Sequence, residues 1–366
     1  MPTAFPTSKI APTALVIGAG VNGLTTALCL RHSGFKVTIL TRHRAPDTVS
    51  MVAGALWEWP PAVCGAHTDT VSLARAKGWS YVSYREFERL STDPHSGVFL
   101  RPAVCYLRKP LLDDPAQRHK ATEMRNYIKE FRHDAALIDE HGVNPEAGAV
   151  DAYSYLAPMV DTEVYLPWLL DWALAEGVDV RIRGVDGDLR ERSATLRAEY
   201  RADIIINCAG LGAAELAGDD TIYPLRGALV HVLNDGIEMP RITAAHFMAH
   251  DASLGRQNMV SIVPRGNDTL VLGGLVEPGE WSLDLDGEYP PIRDMVERCR
   301  RFLPALRTAT ADHSIRVGLH PARKQDVRLD FETETHLVHN YGHGGSGVTL
   351  SWGCAREVAR MATHLV

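Results

Sequence analysis

Gly18, Gly20 and Gly23 stand at G-x-G-x-x-G spacing, which suits one chemistry, the close binding of a pyrophosphate. Gly18 permits a tight turn, Gly20 lets a phosphate approach a backbone that carries no Cβ, and Gly23 lets the following helix pack on a sheet. The phosphate oxygens then meet free N–H groups and the positive end of a helix dipole. Val21 and Asn22 fill the places between and belong to the same loop. A second glycine-rich stretch, Tyr341-Gly-His-Gly-Gly-Ser-Gly-Val-Thr349, lies at the far end of the chain.

Each loop needs a strand and a helix to position it. Ala14–Ile17 is an apolar run long enough for a buried strand. An alanine- and leucine-rich helix runs on to Ser33, and Gly34 sits where a helix C-terminus wants positive φ. Phe35–Leu40 alternates with the period of a strand, which completes a βαβ unit. That strand ends in Thr41 and Arg42 rather than the usual acid for the ribose hydroxyls. Thr41 can hydrogen-bond a ribose. Arg42 can meet an adenosine phosphate or stand as a solvated surface arginine. NADP suits an arginine as well, so this loop does not choose the cofactor. The small-residue segment from Thr48 to Trp57 suits a chain passing close to a flat cofactor, or a plain connection. The second loop follows a strand, Leu337–Asn340, and opens a helix through Ser351–His364. A nicotinamide cofactor needs one such loop. Two at opposite ends point to one long cofactor, such as FAD, held at both its adenosine and flavin ends.

The 366 residues, 45% of them hydrophobic, support two domains or one large one. A net charge of −7 argues against nucleic acid and against an anionic membrane surface as partners. There is no run of 18 apolar residues, so no transmembrane helix is expected. The first dozen residues lack the apolar core of a signal peptide and read as a loose tail. Cys29, Cys64, Cys105, Cys208, Cys299 and Cys354 are scattered without a C-x-x-C, which reads as reduced thiols in a cytoplasmic protein. The 16 histidines form no H-E-x-x-H pattern, and no metal site is expected.

Between the loops, Asp69–Lys77 and Ala121–Asp139 read as charged helices and Gly97–Leu107 as a strand, a layer inserted into the nucleotide domain. A helix over Glu163–Glu176, capped by Asp161 or Thr162, carries apolar residues on more than one face and is expected to be largely buried. Val178–Ile182 follows as a strand. The apolar strand entered at Ala202 runs into Asn207-Cys-Ala-Gly210, a turn at the carboxyl edge of a sheet that brings Cys208, Ala209 and Gly210 near a ligand. Pro224–Leu233 and Met259–Gly274 read as strands with a turn at Arg265–Asp268, and Met295–Phe302 as a helix, within a β-rich second domain over Tyr223–Arg323.

On Val16-Ile-Gly-Ala-Gly-Val-Asn-Gly23, Ala53-Gly-Ala-Leu-Trp57, Asn207-Cys-Ala-Gly210, Arg226–Gly227, Leu272-Gly-Gly274 and His339-Asn-Tyr-Gly-His-Gly-Gly-Ser-Gly347, the chain resembles the D-amino acid oxidase family of FAD-dependent enzymes over nearly its whole length. The resemblance implies an α/β fold: a Rossmann-like FAD-binding domain assembled from discontinuous segments, placed at residues 1–65, 155–222 and 325–366. Residues 66–154 and 223–324 would form a mixed α+β substrate domain with a large β-sheet. It implies that Gly18, Gly20 and Gly23 serve the pyrophosphate, with Thr41 and Arg42 at the adenosine end. Thr48, Ser50, Ala53, Gly54 and Leu56 would lead towards the flavin, and Val185 would clamp the adenine with its backbone. Gly344, Gly345, Ser346, Gly347, Val348 and Thr349 would meet the isoalloxazine and ribityl chain. The implied reaction moves a hydride from an amine-bearing carbon to flavin N5. The imine then hydrolyses, and O2 reoxidises the flavin to give hydrogen peroxide. Non-covalent FAD is expected, since no cysteine occupies Gly318–Pro321, where related amine oxidases hold a flavin link.

The substrate pocket departs from the family pattern. The family binds a carboxylate through an arginine in a Gly-Phe-Arg-Pro context, and here the stretch is Gly318-Leu-His-Pro321. His320 thus stands for a bidentate guanidinium fork that a histidine does not offer. It is read as a hydrogen-bond donor, an acid or base, or a space-filler. Two family tyrosines fall near Gln257 and Ser261, and Arg323 or Arg256 is an alternative carboxylate contact. The expectation is therefore an FAD-dependent amine or amino acid oxidase with an atypical substrate, bulky or with a masked carboxylate. The alternatives are an ordinary D-amino acid oxidase with a relocated anchor, a flavin-binding module without catalysis, and a pyridine-nucleotide dehydrogenase. A homodimer remains open.

Overall fold

β-branched and aliphatic runs bounded by glycine, proline and polar turns set the strands of this protein. In chain order they are β1 (Thr13–Ile17), β2 (Lys36–Thr41), β3 (Val98–Leu107), β4 (Arg132–His133), β5 (Asp151–Val160), β6 (Asp179–Ile182) and β7 (Ile204–Asn207). They continue as β8 (Ile222–Leu233), β9 (Ala245–Met248), β10 (Val260–Arg265), β11 (Thr269–Pro278), β12 (Ala311–Arg323), β13 (Arg328–Glu332) and β14 (Leu337–Tyr341). The structure, a computed structural model, describes residues 11–59, 69–249, 251, 257–309 and 311–366, the side chains of 311–313 excepted. Cys64 and Arg256 lie outside the described residues.

The strands form two sheets. The first has the order β13-β14-β7-β1-β2-β6, parallel throughout except for β13 at one edge. β1 lies between β2 and β7, where the direction of strand order reverses, so the carboxyl end of β1 is the natural crevice for a ligand. The helices Val21–His32, Thr162–Ala175 and Gly347–Leu365 cover one face, burying Leu24, Leu28, Leu169 and Val358 against Val16, Ile39 and Ile206. The helix Leu189–Tyr200 covers the other through Leu189 and Leu196. The second sheet has the order β12-β8-β11-β10-β9-β3-β5-β4 and is antiparallel except where β9 meets β3. The helix Pro290–Phe302 seals one face, with Met295, Cys299 and Phe302 against Val230, Ile262 and Leu272. On the opposite face lie Trp57, Tyr153, Tyr155 and Val263.

Both glycine-loop units take the expected strand–loop–helix form, and Gly34 has φ +92. The helix expected over Ala121–Asp139 is instead Pro115–Tyr127, followed by β4 and a short helix Leu137–Glu140. Asp114 accepts hydrogen bonds from the N–H groups of Ala116 and Gln117, and Pro115 suits the first turn, so the start lies earlier. Ile128 and Phe131 then leave the helix to bury against Tyr153 while Arg132 and His133 pair with β5. The boundary expected at residue 155 falls inside β5, which pairs with β3 along its whole length. The helix begun at Thr162 buries Tyr165, Leu166, Leu169, Leu170 and Ala173, while Val164 and Leu174 stay 44% exposed. Cys29, Cys105, Cys208, Cys299 and Cys354 are buried free thiols. Among the described residues no helix is long and apolar enough to cross a membrane, and no three metal-binding side chains converge.

The two sheets are tied by a buried ion pair. Arg323, at the end of β12, donates to Asp219 Oδ2 at 2.8 Å and to the carbonyl of Asp326. Tyr341, at the end of β14, donates to the same carboxylate oxygen at 3.0 Å. Burial alone would raise the Asp219 pKa, but bonds from Thr221, Arg323 and Tyr341 outweigh it and hold the carboxyl at about 2, below the ordinary 3.8. A depressed carboxyl stabilises the fold above its unfolded pKa, and that contribution fades as the pH falls through the folded value. Asp219→Asn should lower the unfolding free energy at neutral pH by about 2 kcal/mol. Urea titrations of the two proteins should differ most above about pH 4 and converge towards pH 2. An unchanged stability at neutral pH would show that the pair contributes nothing.

Candidate active site

A single cavity of about 360 Å³ opens at the carboxyl ends of β1, β2 and β7 and is walled by both glycine-rich loops. Gly18, Gly20, Val21 and Asn22 line it from the first loop, and Gly344, Gly345, Gly347 and Val348 from the second. Gly18 has φ +108, and a Cβ there would stand 2.5 Å from the Cys208 carbonyl oxygen. A Cβ on Gly23 would stand 2.0 Å from the Gly18 carbonyl oxygen, so Gly23 serves packing behind the loop and does not line the cavity. Cys208, Ala209 and Gly210 continue the wall from β7. Burial pushes the Cys208 thiol up to about 12, which leaves it protonated and inert.

The helix Val21–His32 carries no side-chain cap from its own Gly20, and its Val21 N–H donates to the Ser50 hydroxyl at 3.1 Å. Asn22 Oδ1 and Thr48 Oγ1 are buried, have no partner among the described residues, and belong to residues that line this cavity. Buried polar atoms seldom stay unpaired. These two fit a ligand with phosphate and hydroxyl groups. Within the second loop His343 is buried, its Nε2 3.1 Å from Asn340 Oδ1, and burial lowers its pKa to about 4, so the imidazole is neutral at pH 7. Asn340 in turn donates to Thr26 Oγ1 at 3.1 Å, which fixes β14 to the first helix. Ser346 and Thr349 are buried and do not line the cavity.

Thr41, Arg42 and Val185 line the end away from β12. The Thr41 hydroxyl donates to the His43 carbonyl, so it offers a ligand its acceptor side only. Arg42 reaches Asp186 Oδ1 at 2.6 Å and the Val185 carbonyl at 3.3 Å. Its guanidinium bridges these groups at the cavity mouth while the side chain stays 52% exposed.

Ser50 and Ala53 also line the cavity, whereas Gly54 and Leu56 do not. The second sheet and the helix at Thr162 hold this segment by its backbone. Thr162 donates to the Met51 carbonyl at 2.7 Å, the Val160 N–H to the Ala55 carbonyl at 3.1 Å, and the Trp57 N–H to the Pro158 carbonyl at 3.0 Å. The buried Arg265, from β10, donates to the Ala53 carbonyl and stands 3.5 Å from His231 Nε2. Arg265 and Thr162 were not foreseen as site residues. An arginine in a predicted turn gives no sign that it folds inward. His343 lies inside a quoted motif, and its neighbouring glycines were the only hint.

Of the four described residues placed at the substrate end, only His320 lines the cavity. It stands on β12, makes no hydrogen bond among the described residues, and burial lowers its pKa, so it is a neutral imidazole at pH 7. Gln257 has φ +56 and its amide is used on the backbone of Val276, accepting at 3.2 Å and donating at 2.5 Å. Ser261 sits within β10 between Phe247 and Gly273 and does not reach the cavity. Arg323 is held in the Asp219 pair, away from His320. Gln257 and Ser261 follow from register against the family pattern and Arg323 from its nearness to His320 in sequence, and neither says where a side chain is spent.

Arg265→Leu should leave the Ala53 carbonyl without its donor and loosen the wall. Losing a charge-assisted bond of this kind is worth about 1.5–3 kcal/mol. Hydrogen exchange at the amides of Trp57 and Val160 should then quicken about tenfold or more. Unchanged exchange would show that the other three bonds suffice.

Residues 13–361 match the family described as FAD dependent oxidoreductase. The chain is 36% identical to a D-amino-acid oxidase of Rubrobacter xylanophilus over 361 residues, 97% of each protein. It is also 36% identical to one from Streptomyces coelicolor over 360 residues, 95% of this chain and 96% of the relative. Glycine oxidase from Geobacillus kaustophilus shares the fold with a TM-score of 0.75 at 17% identity, covering 96% of this chain and 94% of its own. L-proline dehydrogenase from P. horikoshii gives 0.76 at 14%, covering 97% and 94%. With a parallel sheet, two glycine-rich loops on one cavity and a match along nearly its whole length, this chain belongs to the FAD dependent oxidoreductase family.

Proposed function

We propose that this protein oxidises the C–N bond of an amine, or of an amino acid whose carboxylate is masked, using non-covalently bound FAD and O2. The observation that carries the reading is one cavity running from the Gly18–Gly23 loop to His320, with no arginine at the His320 end among the described residues that line it. Asn22, Thr48 and Ser50 would hold the pyrophosphate, with Gly18 and Gly20 leaving room for it. Thr41, Arg42 and Val185 would face the adenosine, and the turn Gly344–Gly347 the isoalloxazine. The N-terminus of the helix Gly347–Leu365 would direct its positive end at the edge where charge gathers on reduction. When bound, the flavin supplies the acceptor for a hydride from the amine-bearing carbon. His320, neutral, offers the substrate one hydrogen bond and no positive charge. The first sheet with its helices is the proposed cofactor domain and the second sheet the substrate domain. The near-full-length likeness to proteins named D-amino-acid oxidase keeps a second reading, ordinary D-amino acids with a carboxylate anchor elsewhere, such as Arg256.

The purified protein should be yellow, and acid precipitation should release its FAD into the supernatant; colour retained in the pellet would refute non-covalent binding. Gly20→Val should weaken FAD binding to the apoprotein strongly, because a branched side chain would fill the approach to the loop where Ser50 Oγ already lies 3.1 Å from a Cβ position. Fluorescence titration measures this, and wild-type affinity would defeat the assignment of the first loop.

Anaerobic bleaching of the flavin separates the two substrate readings. D-Alaninamide should reduce it faster than D-alanine, since a lost bidentate contact costs roughly ten- to a hundredfold in binding. His320→Arg should shift the preference back towards D-alanine. Fast reduction by D-alanine in the wild type would favour the relocated anchor.

A further inference from the structure

We infer that Gly227 is a specificity-determining position: the space left by its absent side chain seats the His320 imidazole against β8 and so keeps the substrate end of the cavity open. The inference rests on the proposed substrate role of that end. A Cβ built on Gly227 would stand 2.9 Å from His320 Nε2 and 3.3 Å from His320 Cδ2, whereas the nearest backbone atom, the Leu275 carbonyl oxygen, is 3.6 Å away. The clash that a side chain at 227 would create is thus with the imidazole alone.

The backbone cannot withdraw to absorb it. β8 is flanked on both sides, with Gly227 paired to Gly318 of β12 and to Val276 of β11. The adjoining Arg226 is buried, donating to Glu277 Oε2 at 2.9 Å, to the Ser282 carbonyl at 3.0 Å and to the Tyr289 hydroxyl at 3.2 Å. Tyr289 completes the set by donating to Glu277 Oε1 at 2.7 Å. A buried arginine with its partners satisfied resists movement, because shifting it leaves a charge unpaired. β12 is pinned from its own end by the Arg323–Asp219 pair, three residues beyond His320. Side-chain rotation is the remaining freedom. The imidazole has two soft torsions, no hydrogen bond to lose among the described residues, and the cavity on its open side.

Gly227→Ala therefore moves the imidazole into the cavity without touching the cofactor loops. In a crystal structure of the FAD-loaded variant, His320 should adopt a different rotamer that points into the cavity, with β8 in place and one FAD per chain. In anaerobic flavin reduction by D-alaninamide, KM should rise roughly ten- to a hundredfold, the scale of overpacking a filled site. The same substitution made in a His320→Ala background should change KM by less than about twofold, because no imidazole is left to displace. An imidazole that stays put while the strand bends would overturn the proposal, as would a KM penalty that persists without His320. If no amine bleached the wild-type flavin, the substrate reading would fall, and the rotamer in the crystal would decide the seat on its own.

Discussion

The site depends on backbone meeting backbone. Gly18 carries no side chain against the end of β7, and Gly23 carries none against Gly18, so strand, turn and helix close to distances that any Cβ would forbid. That contact places the amino end of the first helix over the parallel sheet, in the crevice where the strand order reverses. The final helix then packs beside the first, and its own glycine-rich turn meets the same crevice. Asn22 joins the two, its amide 3.5 Å from where a Gly347 side chain would begin. Two elements from opposite ends of the chain thus wall one elongated space, and neither could do so alone.

The remaining walls come from the second sheet, which acts through backbone contacts more than through direct lining. Four carbonyl and amide groups between Met51 and Trp57 are bonded to Thr162, Arg265 and β5. The Asp219–Arg323–Tyr341 cluster does the corresponding work on the other side, fixing the end of β12 to β14 three residues beyond His320. A carboxylate that accepts several hydrogen bonds and an arginine is held ionised, and the geometry it fixes is correspondingly rigid.

The parallel sheet was legible because buried parallel strands read as unbroken apolar runs, and Ala14–Ile17 and Ile204–Ile206 are such runs. The loops were legible because glycine spacing reports backbone approach directly. The helix Leu189–Tyr200 went unseen because its surface is charged and only Leu189, Ser193 and Leu196 are buried, although Asp188 caps it in the ordinary way. Of the residues marked by the sequence around the loops, Gly18, Gly20, Ser50 and Gly344 line the cavity, whereas Gly23, Gly54, Leu56, Ser346 and Thr349 stand outside its lining. Gln257 and Arg323 spend their polar groups on partners that no local pattern reveals, and Arg265 turns inward from a stretch that reads as a surface turn.

The wide sequence separation of the two loops has a consequence for how the protein is made. Residues 341–349 emerge from the ribosome long after residues 18–23, so the earlier half of the crevice exists for most of synthesis without its lid. Parallel strands β14 and β7 cannot pair until then, and such long-range closure is intrinsically slow. Closure of the crevice is thereby coupled to synthesis of residues 341–349, which supply its second wall.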